Sequence, residues 1–300
     1  MIPTILKKIN PLSVLLWTFR RNENDVVNLY DTLSSLMQIS TGGNMLNFGY
    51  WNKNISNPRD AQNSLCNIVG DMADLKSAST VLDVGSGFSE PALLWKSQFP
   101  HIDLLCMNVN LYQLQFGSRL ITMSLTNQGS GQEVNRLGLA NATSTRIPLK
   151  DNSIDRVIAL ESAQHFKPLN EFVSESRRVL KNDGSLIIAI PIVSNDLRSP
   201  EILKLGILSL TWSSEHYQYN QIEKIILKNS FYISDKKFIG SNVYAPLADY
   251  YIKNREVLKV KILEKYPTFV EKILFESMLK MKEVSQKGII DYVLLRCTVA

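Results

Sequence analysis

From residue 80 onward short apolar, β-branched runs alternate with stretches whose apolar positions recur at helical spacing. Such alternation marks strand–helix–strand units laid side by side in a parallel sheet, because each strand needs a crossover to return to the same edge. The pattern predicts strands at Thr80 to Val84, Asp103 to Met107, Asn135 to Leu139, Asp155 to Leu160, Gly184 to Ile190, Phe231 to Lys237 and Ile289 to Thr298. Helices are predicted over Pro91 to Gln98, Leu111 to Leu125 and Asn170 to Lys181, the last stopped by Asn182-Asp183-Gly184. The expected fold is α/β: a Rossmann-like, seven-stranded, mostly parallel sheet flanked by helices, with N-terminal helices and a helical lid.

Residues 1–75 read as an N-terminal helical segment covering the ligand site, and residues 76–300 as the sheet domain. Two spacers within it, at about 192–230 and 239–287, exceed a minimal connection and are expected to form lids over the strand ends. They carry Trp212, Tyr217, Tyr219, Tyr244, Tyr250 and Tyr251, which suit an aromatic-lined pocket for a flat or greasy substrate; packing of the lid helices is the competing use of each ring.

An apolar share of 45% fills a substantial core and sets disorder aside. The 33 Lys+Arg against 28 Asp+Glu give +5, but the basic residues are scattered, so no nucleic-acid partner is expected. Cys66, Cys106 and Cys297 lie far apart without metal-ligand spacing, which argues against a disulfide framework and against a metal site and fits a cytoplasmic location. No apolar run reaches the roughly 18 residues that cross a bilayer. The stretch from Pro11 to Trp17, flanked by Lys7-Lys8 and Arg20-Arg21, either caps the domain or makes a peripheral membrane contact through residues 1–21.

The chemical centre is Val81 to Leu94, VLDVGSGFSEPALL, a buried strand running into a small-residue turn and a helix. Gly85 and Gly87, with Ser86 between them, permit the close ligand approach that a Cβ obstructs. In a dinucleotide fingerprint the third glycine stands where this chain has Glu90, and a carboxylate there repels a pyrophosphate. A ligand bearing a cation is tolerated, with Asp83 placed to orient the turn or an amine. At the end of the second strand Asn108 stands at the ribose-reading position, with Val109 and Gln113 beside it. Past the third strand, Asn141-Ala142-Thr143 offer the place for a base.

These segments resemble the class I S-adenosylmethionine-dependent methyltransferases, and more narrowly the rebeccamycin and erythromycin sugar O-methyltransferase group, with kinship to ubiquinone, menaquinone and sterol C-methyltransferases. MLNFGYW, Met45 to Trp51, is similar to that group's N-terminal signature, and Tyr30-Asp31 stand where it has a cofactor-covering tyrosine. MNVNLYQL, the run from Asn141 to Phe166 and RRVLKNDGSLIIAIPI carry the rest. The resemblance implies S-adenosyl-L-methionine as cofactor, bound by Tyr30, Trp51, Asp83, Gly85, Ser86, Gly87, Asn108, Val109, Gln113, Asn141, Ala142, Thr143 and Glu161. Ser89 departs from the pattern, where a glycine is usual, and implies a looser turn.

The resemblance further implies that His165, in ESAQHF after the fourth strand, is the general base for methyl transfer to a hydroxyl of a small lipophilic molecule. The acid that often accompanies it after the fifth strand is replaced by Pro191, with Asp196 as the substitute. C-methylation of a quinone, isoprenoid or sterol-like substrate therefore stays open, as does a non-catalytic S-adenosylmethionine-binding protein; an NAD-dependent oxidoreductase ranks last because of Glu90.

Overall fold

The computed structural model describes residues 22–127, 136–194, 205, 208 and 215–300. The Pro11 to Trp17 stretch, Asn135, Asp196 and Trp212 lie outside the described residues.

Seven strands form one sheet in the order β3-β2-β1-β4-β5-β7-β6. They are β1 (Thr80–Val84), β2 (Asp103–Asn108), β3 (Leu137–Asn141), β4 (Ile154–Leu160), β5 (Leu180–Val193), β6 (Phe231–Phe238) and β7 (Ile290–Val299). Strands β1 to β5 pair in parallel, and β7 runs antiparallel to both β5 and β6. The chain crosses from one half of the sheet to the other between β1 and β4, so a crevice opens beyond their carboxyl ends, where open α/β sheets take ligands.

Two predicted boundaries shift for reasons that lie outside the local sequence. The helix expected to reach Lys181 stops at Val179, and the Asn182-Asp183-Gly184 signal makes a bulge instead: Leu180 pairs with Ile154, and pairing resumes at Ser185 with Arg156. Strand β5 also continues through Pro191 to Val193. Its pairing with β4 ends at Leu160 and Ala189, so the missing Pro191 N–H leaves no β4 carbonyl without a donor.

Eight helices are described: α1 (Glu23–Thr41), α2 (Pro58–Met72), α3 (Glu90–Gln98), α4 (Leu111–Asn127), α5 (Leu169–Val179), α6 (Tyr219–Lys228), α7 (Tyr244–Leu263) and α8 (Thr268–Gln286). None is long and apolar enough to cross a membrane. Helix α1 starts at a capping box in which Asn22 accepts from the Asp25 N–H and Asp25 accepts from the Asn22 N–H, and it ends at Gly42 with φ +75°.

Alternate strand residues face opposite layers, as the pleat requires. Val81, Ile158, Ile187 and Leu294 pack with α2, α3 and the start of α7, while Leu82, Val157, Ile188 and Val293 pack with α5 and α6. Helix α2 is thus part of the main core, with the Trp95 indole donating to the Cys66 carbonyl at 2.8 Å. A third cluster clamps Leu36 of α1 against Tyr251, Leu258 and Ile262 of α7, together with Tyr266 and Val270.

The described helices of the two long spacers pack against the rest of the fold. Helix α6 buries Ile222 and Ile226 against the sheet, and the α7–α8 hairpin buttresses α1. Their aromatic rings fill gaps between elements: Tyr244 and Tyr251 are wholly buried, Tyr250 lies beside Trp51, and Tyr219 packs on Phe238. Ring area between helices yields more by burial than by lining a wet crevice, which is why these residues belong to the core.

Candidate functional site

Beyond the ends of β1, β2 and β4 lies a cleft whose empty space, the open solvent at its mouth included, is about 910 Å³. The glycine turn forms its floor, and α1 with residues 44–47 forms its roof. The turn is shaped from within. Gly85 has φ +76° and Gly87 φ +55°, and the N–H groups of Gly85 and Ser86 donate to the Met107 carbonyl at 2.7 and 3.2 Å. Ser89 adopts the left-handed conformation, φ +60°, that a glycine supplies more cheaply.

Ten of the predicted site residues line the cavity: Tyr30, Gly85, Ser86, Gly87, Asn108, Val109, Gln113, Ala142, Glu161 and His165. Asn108 donates to the Gly87 carbonyl at 3.2 Å and to Gln113 Oε1 at 2.8 Å, and its own oxygen accepts from the Asn110 N–H. This cross-linked amide pair at the end of β2 offers neutral donors and acceptors to a ligand hydroxyl.

Four predicted residues fall outside the lining. Trp51 is buried in the core, its N–H bonded to the Asn242 carbonyl at 2.7 Å, because Gly49 (φ +92°) turns the chain down onto Ala61 of α2. Asp83 points beneath the turn on the same sheet face as Val81. Asn141 spends its amide protons on the carbonyls of Asn108 and Val109, both at 2.9 Å, tying β3 to β2. Thr143 donates to Glu23 at the start of α1, fastening the roof.

Sequence reasoning passed over Asn44 to Asn47, Val26, Val27 and Phe166 as site residues, all of which line the cavity; Ser162, read with Glu161 as lining the crevice, does line it. The signal for the first group was the glycine in MLNFGYW: the residues before Gly49, not the Trp51 after it, face the site. Backbone N–H groups at both ends hold that segment in place. Asn44 N–H donates to Glu90 at 2.8 Å, and Phe48 N–H to both oxygens of Glu161 at 2.9 and 3.0 Å. Glu90 thus serves as a tether rather than a cavity wall.

Glu161 sits at the end of β4 with φ +50° and also accepts from the Tyr292 hydroxyl at 3.0 Å. Burial pushes its carboxyl up to about 8, and burial pushes Asp83 up to about 7. His165, in the 3-10 turn Ala163–His165, has Nε2 3.0 Å from the Tyr30 hydroxyl, the rings meeting edge to face. Burial and then the nearby Glu161 raise Tyr30 above the ordinary phenol value, so it stays a neutral donor. His101 and His216 do not line the cavity.

The two raised carboxyls set a pH dependence. Each keeps its proton in the fold at pH values where the unfolded chain, with values of 3.8 and 4.5, has shed it, so the folded chain binds more protons and stability falls as pH rises. The expected result for the ligand-free chain is a decline on the order of a few kcal/mol between about pH 4.5 and pH 8. Glu161→Gln and Asp83→Asn should each flatten that slope in denaturant titrations; an unchanged slope in both rejects the assignment. Asp155 acts in another window with the opposite sign. Against the pull of burial, Lys181 and the Thr80 and Ser79 N–H groups hold it down to about 2, and the stability it contributes is lost as pH falls from about 4.

The charges decide which ligand fits. Among the described lining residues are the carboxylates Glu23 and Glu161, and neither a lysine nor an arginine. That set suits a nucleoside carrying positive charge and opposes a diphosphate. Residues 82–188 match the family described as a methyltransferase domain. The chain is similar to erythromycin 3''-O-methyltransferase of Saccharopolyspora erythraea, 24% identical over 286 residues covering 91% of this chain and 87% of that protein. Among solved structures it is similar to the cyclase SpnF, with a TM-score of 0.74, 18% identity and coverage of 93% of this chain and 97% of that one. It is likewise similar to a mycolic acid cyclopropane synthase complexed with SAH, with a TM-score of 0.72, 16% identity and coverage of 96% and 99%.

Proposed function

We propose that this chain, whose residues 82–188 match a methyltransferase domain, moves the methyl group of S-adenosylmethionine to a hydroxyl of a small lipophilic molecule. The observation that carries this reading is His165, a base edging the same cavity as the glycine turn and bonded to Tyr30. When bound, S-adenosylmethionine supplies an electrophilic methyl on a sulfonium. The glycine turn would cradle it, Asn108 and Gln113 would meet its ribose hydroxyls, and Ala142 and Ser144 would flank its base.

The chain's own part is alignment and proton removal. The Tyr30 hydroxyl lies 3.0 Å from Nε2, and because that nitrogen has a single lone pair it takes a proton from the cavity side only once the Tyr30 hydroxyl turns away from it. An acceptor hydroxyl brought within hydrogen-bond reach of Nε2 gives up its proton there as the new bond forms. Val26, Val27, Leu46, Phe88 and Phe166 supply an apolar wall that keeps water out and favours a lipophilic acceptor.

The test is product analysis after incubation with S-adenosylmethionine and a panel of lipophilic alcohols, phenols and quinones. Methyl found on oxygen is the expected outcome. Methyl found only on carbon overturns the hydroxyl reading, and cofactor binding without any product favours a binding protein.

A further inference from the structure

We propose that Asn47 grips the α-amino-acid end of S-adenosylmethionine, its Nδ2 donating to the carboxylate and its Oδ1 accepting from the ammonium; the inference rests on the cofactor reading above. Asn47 lines the cavity and is only 5% exposed, yet neither polar atom of its side-chain amide has a partner among the described residues. A buried amide left so costs free energy that a fold normally avoids, and an apolar residue of similar size fits the same space without that cost.

The backbone around it is fixed on both sides. Gln62 Nε2 donates to the carbonyls of Met45 and Asn47 at 2.9 and 2.7 Å, and Phe48 N–H is held by Glu161. The side chain is therefore presented to the cavity by a rigid frame. Position selects which part of the cofactor it meets. Leu46, its neighbour, lies 3.6 Å from where a Cβ on Gly87 would stand, and Phe48 is tied to the end of β4, so Asn47 sits between the glycine turn and Glu161. The amides that suit a ribose, Asn108 and Gln113, lie at the end of β2. A nucleoside seated there directs its amino-acid tail toward Asn47, and the Glu161 carboxyl becomes the charge partner of the ammonium by giving up its proton as that cation arrives.

Asn47→Leu tests this, because it removes no side-chain hydrogen bond among the described residues. Calorimetry compares two probes: S-adenosylhomocysteine, which has the amino-acid end, and 5′-methylthioadenosine, which lacks it. The expected result is a loss of at least about tenfold in affinity for the first, less than about twofold for the second, and a ligand-free unfolding temperature equal to or above that of the parent. Asn47→Asp, which places a negative charge beside the carboxylate, should lose more than Asn47→Leu. Unchanged S-adenosylhomocysteine affinity, or parallel loss of both probes, overturns the role of Asn47. A parent chain that binds neither probe overturns the cofactor reading itself.

Discussion

His165→Ala is expected to lower turnover by about 10² to 10⁴-fold, the range a positioned general base contributes, while S-adenosylhomocysteine affinity changes by less than about threefold. The split follows from place. His165 lies past the end of β4 on a short 3-10 turn, reaching the cavity from the side where Tyr30 meets it, whereas the glycine turn and the Asn108–Gln113 pair are built without it. Removing the imidazole also leaves the buried Tyr30 hydroxyl without its Nε2 partner, a cost of about 1–3 kcal/mol. Tyr30→Phe on the His165→Ala background should recover part of that stability and none of the turnover. Tyr30→Phe alone keeps the base and should cost turnover by about tenfold or less. Turnover and cofactor affinity falling together in His165→Ala would instead make the histidine a structural residue.

How far the sequence reaches can be seen by setting local signals beside tertiary ones. The central strands were legible because they are buried on both faces and so read as short apolar runs, as in Val157 to Leu160 and Leu186 to Ile190. Strand β3, predicted at Asn135 to Leu139 and found at Leu137–Asn141, was displaced because its limits follow the register in which Asn108 pairs with Asn141, which no residue of β3 announces. At the site, the glycines were legible because the constraint on them is local to one turn. Tyr30 and His165 were each singled out, but their pairing across 135 positions depends on how α1 is clamped by the α7–α8 hairpin. The aromatic residues of that hairpin signalled burial, and the pattern alone does not tell core burial from pocket burial; Tyr244 and Tyr251 went to the core. Asn47 was passed over for the same reason from the opposite side, since an amide declares its lack of a partner only after the chain has folded around it.

Gly85→Ala is expected to damage the site more than the same addition at Gly87. Two costs add at this position. The backbone is left-handed, φ +76°, which an L side chain occupies at a cost of about 1–2 kcal/mol. The new Cβ would also stand well inside contact distance of Ser162 Cβ, 2.9 Å from Ser162 Oγ and 3.2 Å from the Phe166 ring, and overpacking of this kind costs about 1–3 kcal/mol. Ser162 cannot simply retreat, because its hydroxyl donates to the Val84 carbonyl at 2.6 Å and so ties the β4 end to the β1 end. The clash must be relieved by moving the turn, which is the cofactor floor, so S-adenosylhomocysteine affinity should fall more than tenfold while the unfolding temperature drops by several degrees. Gly87→Ala is the control: its φ of +55° is also left-handed, but its nearest neighbour is Leu46 at 3.6 Å, an ordinary contact. It should show the backbone cost without the steric one, near 1 kcal/mol, and a smaller loss of affinity. Ser162→Gly on the Gly85→Ala background removes the clash but not the strain, and should recover part of the affinity. Equal effects of Gly85→Ala and Gly87→Ala, or no recovery from Ser162→Gly, would mean that the close approach of the β1 and β4 ends is not what shapes the cofactor floor.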